Sequence, residues 1–298
     1  MATERFRGGW PAVVTPATPD GGVDVAMTGQ LTETLIGKGI GGLYLCGSTG
    51  EGVFLSVAER KQVTETVMAQ VAGRIPVIVH VGAVATRHGV ELARHARDAG
   101  ADGVASILPP FGRGPEETLT HYETIAAAVP DVGFYPYLFG GEVDAVSLMQ
   151  ELQHRVPNLA GAKYTGPNLY ELEAVILLGE GAWSIFSGMD EVCAYAAMVG
   201  TTANIGTTLN LMPGVYREIH ASVESGDFVR ARDLQVRANH VTRVLHRFGV
   251  FGALFEALRL LGMDCGEARM PRSPLAAGKR MAFRDALAEA GFEELSKM

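Results

Sequence analysis

Cysteine is scarce in this chain of 298 residues: Cys46, Cys193 and Cys265 stand far apart, odd in number and without a CxxC pair. That excludes a disulfide framework and a thiolate metal cluster, and predicts reduced, buried thiols. No apolar run escapes glycine or charge for the length of a membrane span, and Met1 to Arg7 holds no apolar leader, so a soluble, cytoplasmic protein is expected. Metal-binding signals are missing too. There is no HExxH and no Cys/His cluster; His88 and His95 share one predicted helix face, His80 ends a strand alone, and no metal is assigned. Positive charge is short, with a net charge of −8 and no basic stripe, which argues against broad nucleic-acid binding. The arginines between 230 and 247 read as a solvated or interfacial helix face.

What is abundant is apolar surface, 47% of residues, with charged residues at only 19%. Such a chain has enough to bury for one large domain or two ordinary ones. One grammar recurs along it: a short apolar run, a loop of glycine, serine, threonine or proline, then a longer amphipathic segment. The runs are 10–14, 42–45, 76–81, 103–108, 132–137, 159–164, 183–187 and 202–205. Helices are expected over 24–38, 56–71, 86–99, 115–128, 144–155, 168–178, 190–199 and 213–225. Ser56 with Glu59 three residues on predicts a capping box. Eight strand–helix units without a hairpin signal predict a parallel sheet, and their length matches a closed (β/α)8 barrel, the α/β class of TIM barrels, over residues 1–225. An open doubly wound sheet is the second choice. Residues 226–298 read as helices packed on the barrel, over 227–246, 251–261 and about 275–289.

Lysine is the rarest basic residue, at positions 38, 61, 163, 279 and 297. Lys163 alone interrupts a strand-like run, Leu159-Ala160-Gly161-Ala162-Lys163-Tyr164-Thr165. Burial of an amine favours its neutral form, and a neutral amine is the nucleophile for an imine with a carbonyl. The alternative is a lysine at a strand end that snorkels to water or pairs with a carboxylate.

Active sites of such barrels lie at the C-terminal strand ends. There the second strand offers Ser48 and Thr49 in a glycine-flanked turn suited to a carboxylate. The fifth offers Tyr135 and Tyr137, the sixth Lys163 and Thr165. The seventh offers Ser187, Gly188, Asp190 and Glu191, and the eighth Gly206, Thr207 and Thr208. An amine, a phenol, an anion pocket and hydrogen-bonding groups for a polyhydroxylated tail together suggest carbonyl chemistry on a keto acid. Each has a plainer reading: an ordinary turn for Gly47 to Gly52, core aromatics for the tyrosines, first-turn acids for Asp190 and Glu191.

Gly47-Ser48-Thr49-Gly50-Glu51, Tyr135 and Gly161-Ala162-Lys163-Tyr164-Thr165 resemble the N-acetylneuraminate lyase/dihydrodipicolinate synthase superfamily of pyruvate-dependent class I aldolases. His80-Val81-Gly82, Ser187-Gly188-Met189-Asp190-Glu191, Ile205-Gly206-Thr207-Thr208 and Arg269-Met270-Pro271 add to the resemblance, which spans essentially the whole chain. It implies that Lys163 forms the Schiff base, that Ser48, Thr49 and Gly206 line the carboxylate pocket, and that Tyr135 shuttles the proton. Thr165, Gly188, Asp190, Glu191 and Thr207 would face a sugar-like tail. It further implies no cofactor, pyruvate and an aldehyde as partners, and a homotetramer. An ungapped count back from Lys163 selects Tyr135; a shifted loop would select Tyr137. Leu138-Phe139-Gly140-Gly141 lacks the arginine of the synthase branch, and Phe111 stands in the region of its intersubunit tyrosine, which disfavours dihydrodipicolinate synthesis. The expected activity is cleavage of a 2-keto-3-deoxy acid such as N-acetylneuraminate. Alternatives are another sugar-acid aldolase or dehydratase, or a keto-acid-binding protein without turnover.

Overall fold

A computed structural model describes residues 5–111 and 114–298; Met1 to Glu4, and Gly112 of the Pro109–Gly112 stretch, lie outside the described residues. Eight parallel strands follow one another around a barrel: β1 (Gly8–Pro11), β2 (Leu43–Leu45), β3 (Val77–His80), β4 (Gly103–Ile107), β5 (Gly133–Phe139), β6 (Gly161–Thr165), β7 (Ser184–Ser187) and β8 (Ala203–Gly206). The sheet runs β1-β8-β7-β6-β5-β4-β3-β2, and a parallel bridge between Ala12 and Tyr44 joins its two ends.

Each crossover carries a helix: α1 (Val25–Gly37), α2 (Val57–Val71), α3 (Thr86–Asp98), α4 (Pro115–Ala127), α5 (Ala145–Arg155), α6 (Leu169–Leu178), α7 (Cys193–Met198) and α8 (Pro213–Glu224). The expected capping box forms at α2, with Ser56 and Glu59 satisfying each other's backbone N–H. The segment after β7 is tighter than expected: a short 3-10 turn over Asp190–Val192 precedes α7. Four helices close the chain, α9 (Phe228–Phe248), α10 (Val250–Leu260), α11 (Arg280–Glu289) and α12 (Phe292–Lys297), the last of which the sequence pattern did not show.

Strand alternation divides the core in two. Outward residues such as Leu43, Leu45, Val77, Val79, Val104 and Phe134 pack under the helices, while inward Trp10, Tyr44, Ile78, Ala105, Tyr135, Phe186, Ala203 and Ile205 fill the barrel with Phe6. Phe6 stacks on Trp10 at 5.4 Å between ring centres, and Phe186 meets Trp10 at 5.3 Å and Tyr135 at 5.7 Å. This aromatic plug belongs to the N-terminal ends of the strands. The opposite end is left to polar groups.

Candidate active site

Lys163 is the middle residue of β6 and one of its inward positions. It is 6% exposed, so its stem is inside the barrel. The head does not snorkel, and among the described residues it forms no ion pair with a carboxylate. Nζ lies 4.1 Å from the ring centre of Tyr137 and 4.8 Å from that of Tyr44. Gly188 makes room for it: a Cβ there would stand 2.9 Å from Lys163 Cε and 1.8 Å from Thr165 Oγ1. Only a residue without a side chain lets the β7 loop approach this closely.

Two residues on, Thr165 Oγ1 donates to the Tyr137 hydroxyl at 3.2 Å. Tyr137 is directly paired in register with Lys163 on the neighbouring strand. Tyr135, the residue singled out by the ungapped count, is elsewhere. Its ring is part of the aromatic plug with Phe6 and Phe186, its hydroxyl points back toward Gly133, and burial followed by the nearby Asp102 charge pushes its phenol up. Of the two tyrosines that the sequence offers, the structure brings Tyr137 rather than Tyr135 against Lys163. The reason is geometric. The two tyrosines face the same side of β5 but stand two residues, about 7 Å, apart along it, and strand register sets Tyr137 opposite Lys163.

The remaining candidates divide into an inner and an outer group. Thr49 is buried and its hydroxyl meets that of Thr207 at 2.7 Å, tying the β2 turn to the end of β8. Ser48, beside it, is exposed and its carbonyl accepts from Arg272 Nη1 at 2.8 Å. Asp190 is buried and accepts from the Thr208 backbone N–H and hydroxyl, each at 2.7 Å, with Asn204 Nδ2 at 3.4 Å. Desolvation, only partly offset by the Thr208 bonds, raises its carboxyl to about 6. Gly206 lies flat against it: a Cβ there would be 1.4 Å from Asp190 Oδ1. Asp190 is thus largely committed to the protein. Glu191 stands at the rim with Oε1 3.2 Å from His246 Nε2. Phe111 is 78% exposed and makes no part of this arrangement within one chain.

Thr165, Gly188, Asp190, Glu191 and Thr207 border a cavity of about 340 Å³, completed by Thr242, Leu245, His246, Val250 and Phe251. Those last five come from α9 and α10. Their distance in sequence from every strand end hid them; the only trace is that the amphipathic pattern of α9 carries threonine and histidine at its margin. α9 also fixes the β7 loop directly. Gln235 accepts from Ala194 N at 2.8 Å and donates to Asp190 O at 2.9 Å, and Asn239 donates to Glu191 O at 3.0 Å. Larger hollows, of about 540 and 570 Å³, lie beside Lys38 and beside Arg259, away from Lys163.

Glu51 and Arg269, both quoted above for their motifs, meet here as a buried pair. Arg269 Nη1 is 3.1 Å from Glu51 Oε2, and the guanidinium also donates to the carbonyls of Thr15, Pro16, Gly21 and Gly22. The pair staples the β1 loop, the β2 turn and the C-terminal tail together, and it works by holding the Ser48–Thr49 turn in position.

A buried lysine amid phenols and hydroxyls at the open end of a (β/α)8 barrel defines a class I lyase, the kind that works through a lysine imine. The chain belongs to the dihydrodipicolinate synthetase family, whose model matches residues 5–290. It is 31% identical over 289 residues to the N-acetylneuraminate lyase of Rhizobium meliloti, covering 95% of each chain. It is also 31% identical to the 4-hydroxy-tetrahydrodipicolinate synthase of Nitratidesulfovibrio vulgaris, over 96% of this chain and 99% of that one. Among solved structures, Proteus mirabilis N-acetylneuraminate lyase superposes with a TM-score of 0.91 at 30% identity, over 96% of this chain and 99% of that one.

Proposed function

We propose that this enzyme reversibly cleaves a 2-keto-3-deoxy sugar acid, with N-acetylneuraminate the leading substrate, to pyruvate and an aldehyde. The observation that carries this is the Lys163–Tyr137–Thr165 contact, whose Thr165 also lines the 340 Å³ cavity. Lys163 attacks C2 of the keto acid, a C–N bond forms, and the C2 oxygen leaves as water to give an iminium. Tyr137, oriented by Thr165, takes the proton from the C4 hydroxyl. The C3–C4 bond then breaks, its electrons flow into the iminium, and the aldehyde departs. Protonation of the enamine at C3 and hydrolysis release pyruvate. The Ser48–Thr49 turn with Gly206 would hold the carboxylate, and Glu191, Thr207 and Gly188 would meet the tail.

Two acids beside the cavity, Asp190 and Glu191, disfavour a tail carrying its own carboxylate and favour neutral hydroxyls. Leu138-Phe139-Gly140-Gly141 offers no cation there either, which speaks against dihydrodipicolinate synthesis. The relatives' own names lean the same way. The intact contact between lysine, phenol and threonine supports turnover over a mere binding role.

The reading extends to a cytoplasmic homotetramer. No helix among the described residues is long and apolar enough to cross a membrane. Tyr170 and Leu177, seven apart on α6, are 82% and 69% exposed, an apolar face suited to another subunit. Light scattering on a sizing column tests the assembly.

The test of the chemistry is borohydride reduction in the presence of pyruvate. The wild type should gain the mass of one reduced pyruvate per chain at Lys163, and Lys163→Ala none. A screen of keto-deoxy acids for pyruvate release should place N-acetylneuraminate first. A wild type that gains no mass, or releases pyruvate from none of them, would falsify this function.

A further inference from the structure

Beneath Lys163 the barrel holds two polar groups that the chemistry above leaves unused. Tyr44 is 1% exposed, its ring is the one Lys163 Nζ covers at 4.8 Å, and its hydroxyl has no hydrogen-bond partner. His80 faces the same interior from β3, its ring centre 6.1 Å from that of Tyr44. Its Nε2 accepts from the Ile107 backbone N–H at 3.0 Å. In the neutral ring that leaves the proton on Nδ1. Burial, reinforced by the positive charges of Arg60 and Lys163, keeps the ring neutral. Nδ1 has no partner in regular hydrogen-bond geometry; the Cys46 backbone lies near enough to act weakly on the ring, without offsetting its burial.

An unpaired buried hydroxyl and an unpaired buried ring N–H each forgo a hydrogen bond that water would give them in the unfolded chain. Two such groups on neighbouring rings, one of them under a nucleophilic amine, are poor packing and good chemistry. The Gly47–Thr49 turn lies on the edge of the same Tyr44 ring, since a Cβ on Gly47 would stand 2.7 Å from Tyr44 Cε1. Tyr44 therefore separates the lysine from the carboxylate turn, beside the reacting C2.

We propose that the Tyr44 hydroxyl and the His80 Nδ1–H bind the oxygen that leaves C2 when the imine forms and the water that re-enters when it is hydrolysed. The inference rests on the imine reading above. In the forward step the carbinolamine C–O bond breaks, its oxygen takes a proton and departs as water, and the nitrogen lone pair makes the C=N bond. Tyr44 and His80 donate hydrogen bonds to that oxygen, which lowers the barrier to its departure. In hydrolysis the same two groups hold the attacking water. Neither touches C4, where Tyr137 acts. Their removal should therefore slow imine exchange without changing what is cleaved.

The experiment follows pyruvate labelled with 18O at its C2 carbonyl, since each round of imine formation and hydrolysis replaces the label with solvent oxygen. Mass spectrometry reads the loss. Wild type against Lys163→Ala isolates the enzymatic rate; equal rates there would remove the imine itself and this inference with it. Given an enzymatic rate, Tyr44→Phe, which keeps the ring under Lys163, should lower it roughly tenfold or more. His80→Gln, which keeps an acceptor for Ile107 and loses Nδ1–H, should do likewise, whereas His80→Asn, which restores a donor near Nδ1, should recover most of it. Thermal melting checks the fold, and Tyr44→Phe should be no less stable than wild type. Exchange at the wild-type rate in Tyr44→Phe would overturn the proposal, as would a His80→Asn variant no faster than His80→Gln.

Discussion

Residues that share a strand face are not interchangeable here. Tyr135 and Tyr137 are chemically identical and both point into the barrel, yet one is mortar in an aromatic plug and the other stands against Lys163. Tyr137→Phe should keep borohydride capture of pyruvate while slowing carbon–carbon cleavage by about 10²–10⁴-fold, the range for loss of a positioned proton carrier. Tyr135→Phe should leave kcat within about threefold, because a phenol raised by burial in the plug reaches no reacting atom. Steady-state assays of the two variants decide it; a larger loss in Tyr135→Phe would return the role to that residue. Gly188 makes a second residue-scale point. Gly188→Ala would push on Thr165 Oγ1 and the Lys163 stem together.

Elements are held in place by a few buried polar pairs. Glu51 sits in the β2 turn with no exposure, and its partner Arg269 comes from the chain segment after α10. Arg272 is 3.6 Å away and cannot replace the four carbonyls that Arg269 serves. Arg269→Met should therefore destabilise the protein by about 3–5 kcal/mol, the cost of leaving a buried charge without its pair. Urea unfolding measures it, and a loss under about 1 kcal/mol would show that the turn holds without the staple. By comparison, Ser56→Ala at the start of α2 should cost only about 1 kcal/mol, since it removes one cap at an exposed helix end.

Across the molecule, two buried groups on one hydrogen-bonded chain titrate in opposite senses. Asn204 links them, donating to Asp190 Oδ1 at 3.4 Å and accepting from His220 Nε2 at 3.0 Å. Burial lowers His220 to about 4 from its ordinary 6.5 and raises Asp190 to about 6 from 3.8. Between those values the unfolded chain binds a proton at His220 that the native one refuses, so this group makes stability rise with pH. The native chain retains a proton at Asp190 that the unfolded one has lost, so that group makes stability fall with pH. Each amounts to about 3 kcal/mol over its window, and from about pH 4 to 6 they nearly cancel. Asp190→Asn should expose the His220 term: its unfolding free energy should rise from pH 4 to 6 relative to wild type by a few kcal/mol. Parallel wild-type and variant curves in urea titrations at pH 4, 5 and 6 would refute the cancellation.

Much of this was already written into the order of amino acids. Short continuous apolar runs, amphipathic helices and short polar loops specify the eight βα units, because burial on both faces of a parallel strand demands such runs. One lysine breaking an apolar strand marked the reactive centre, since a charge placed there needs a use. Which tyrosine meets that lysine was decided only by strand register, a long-range pairing that residue counting along the chain cannot see. The same holds for the cavity's outer wall. Thr242, His246 and Phe251 reach the strand ends only because α9 and α10 fold back over them, and helix packing, unlike helix formation, is settled by contacts distant in sequence.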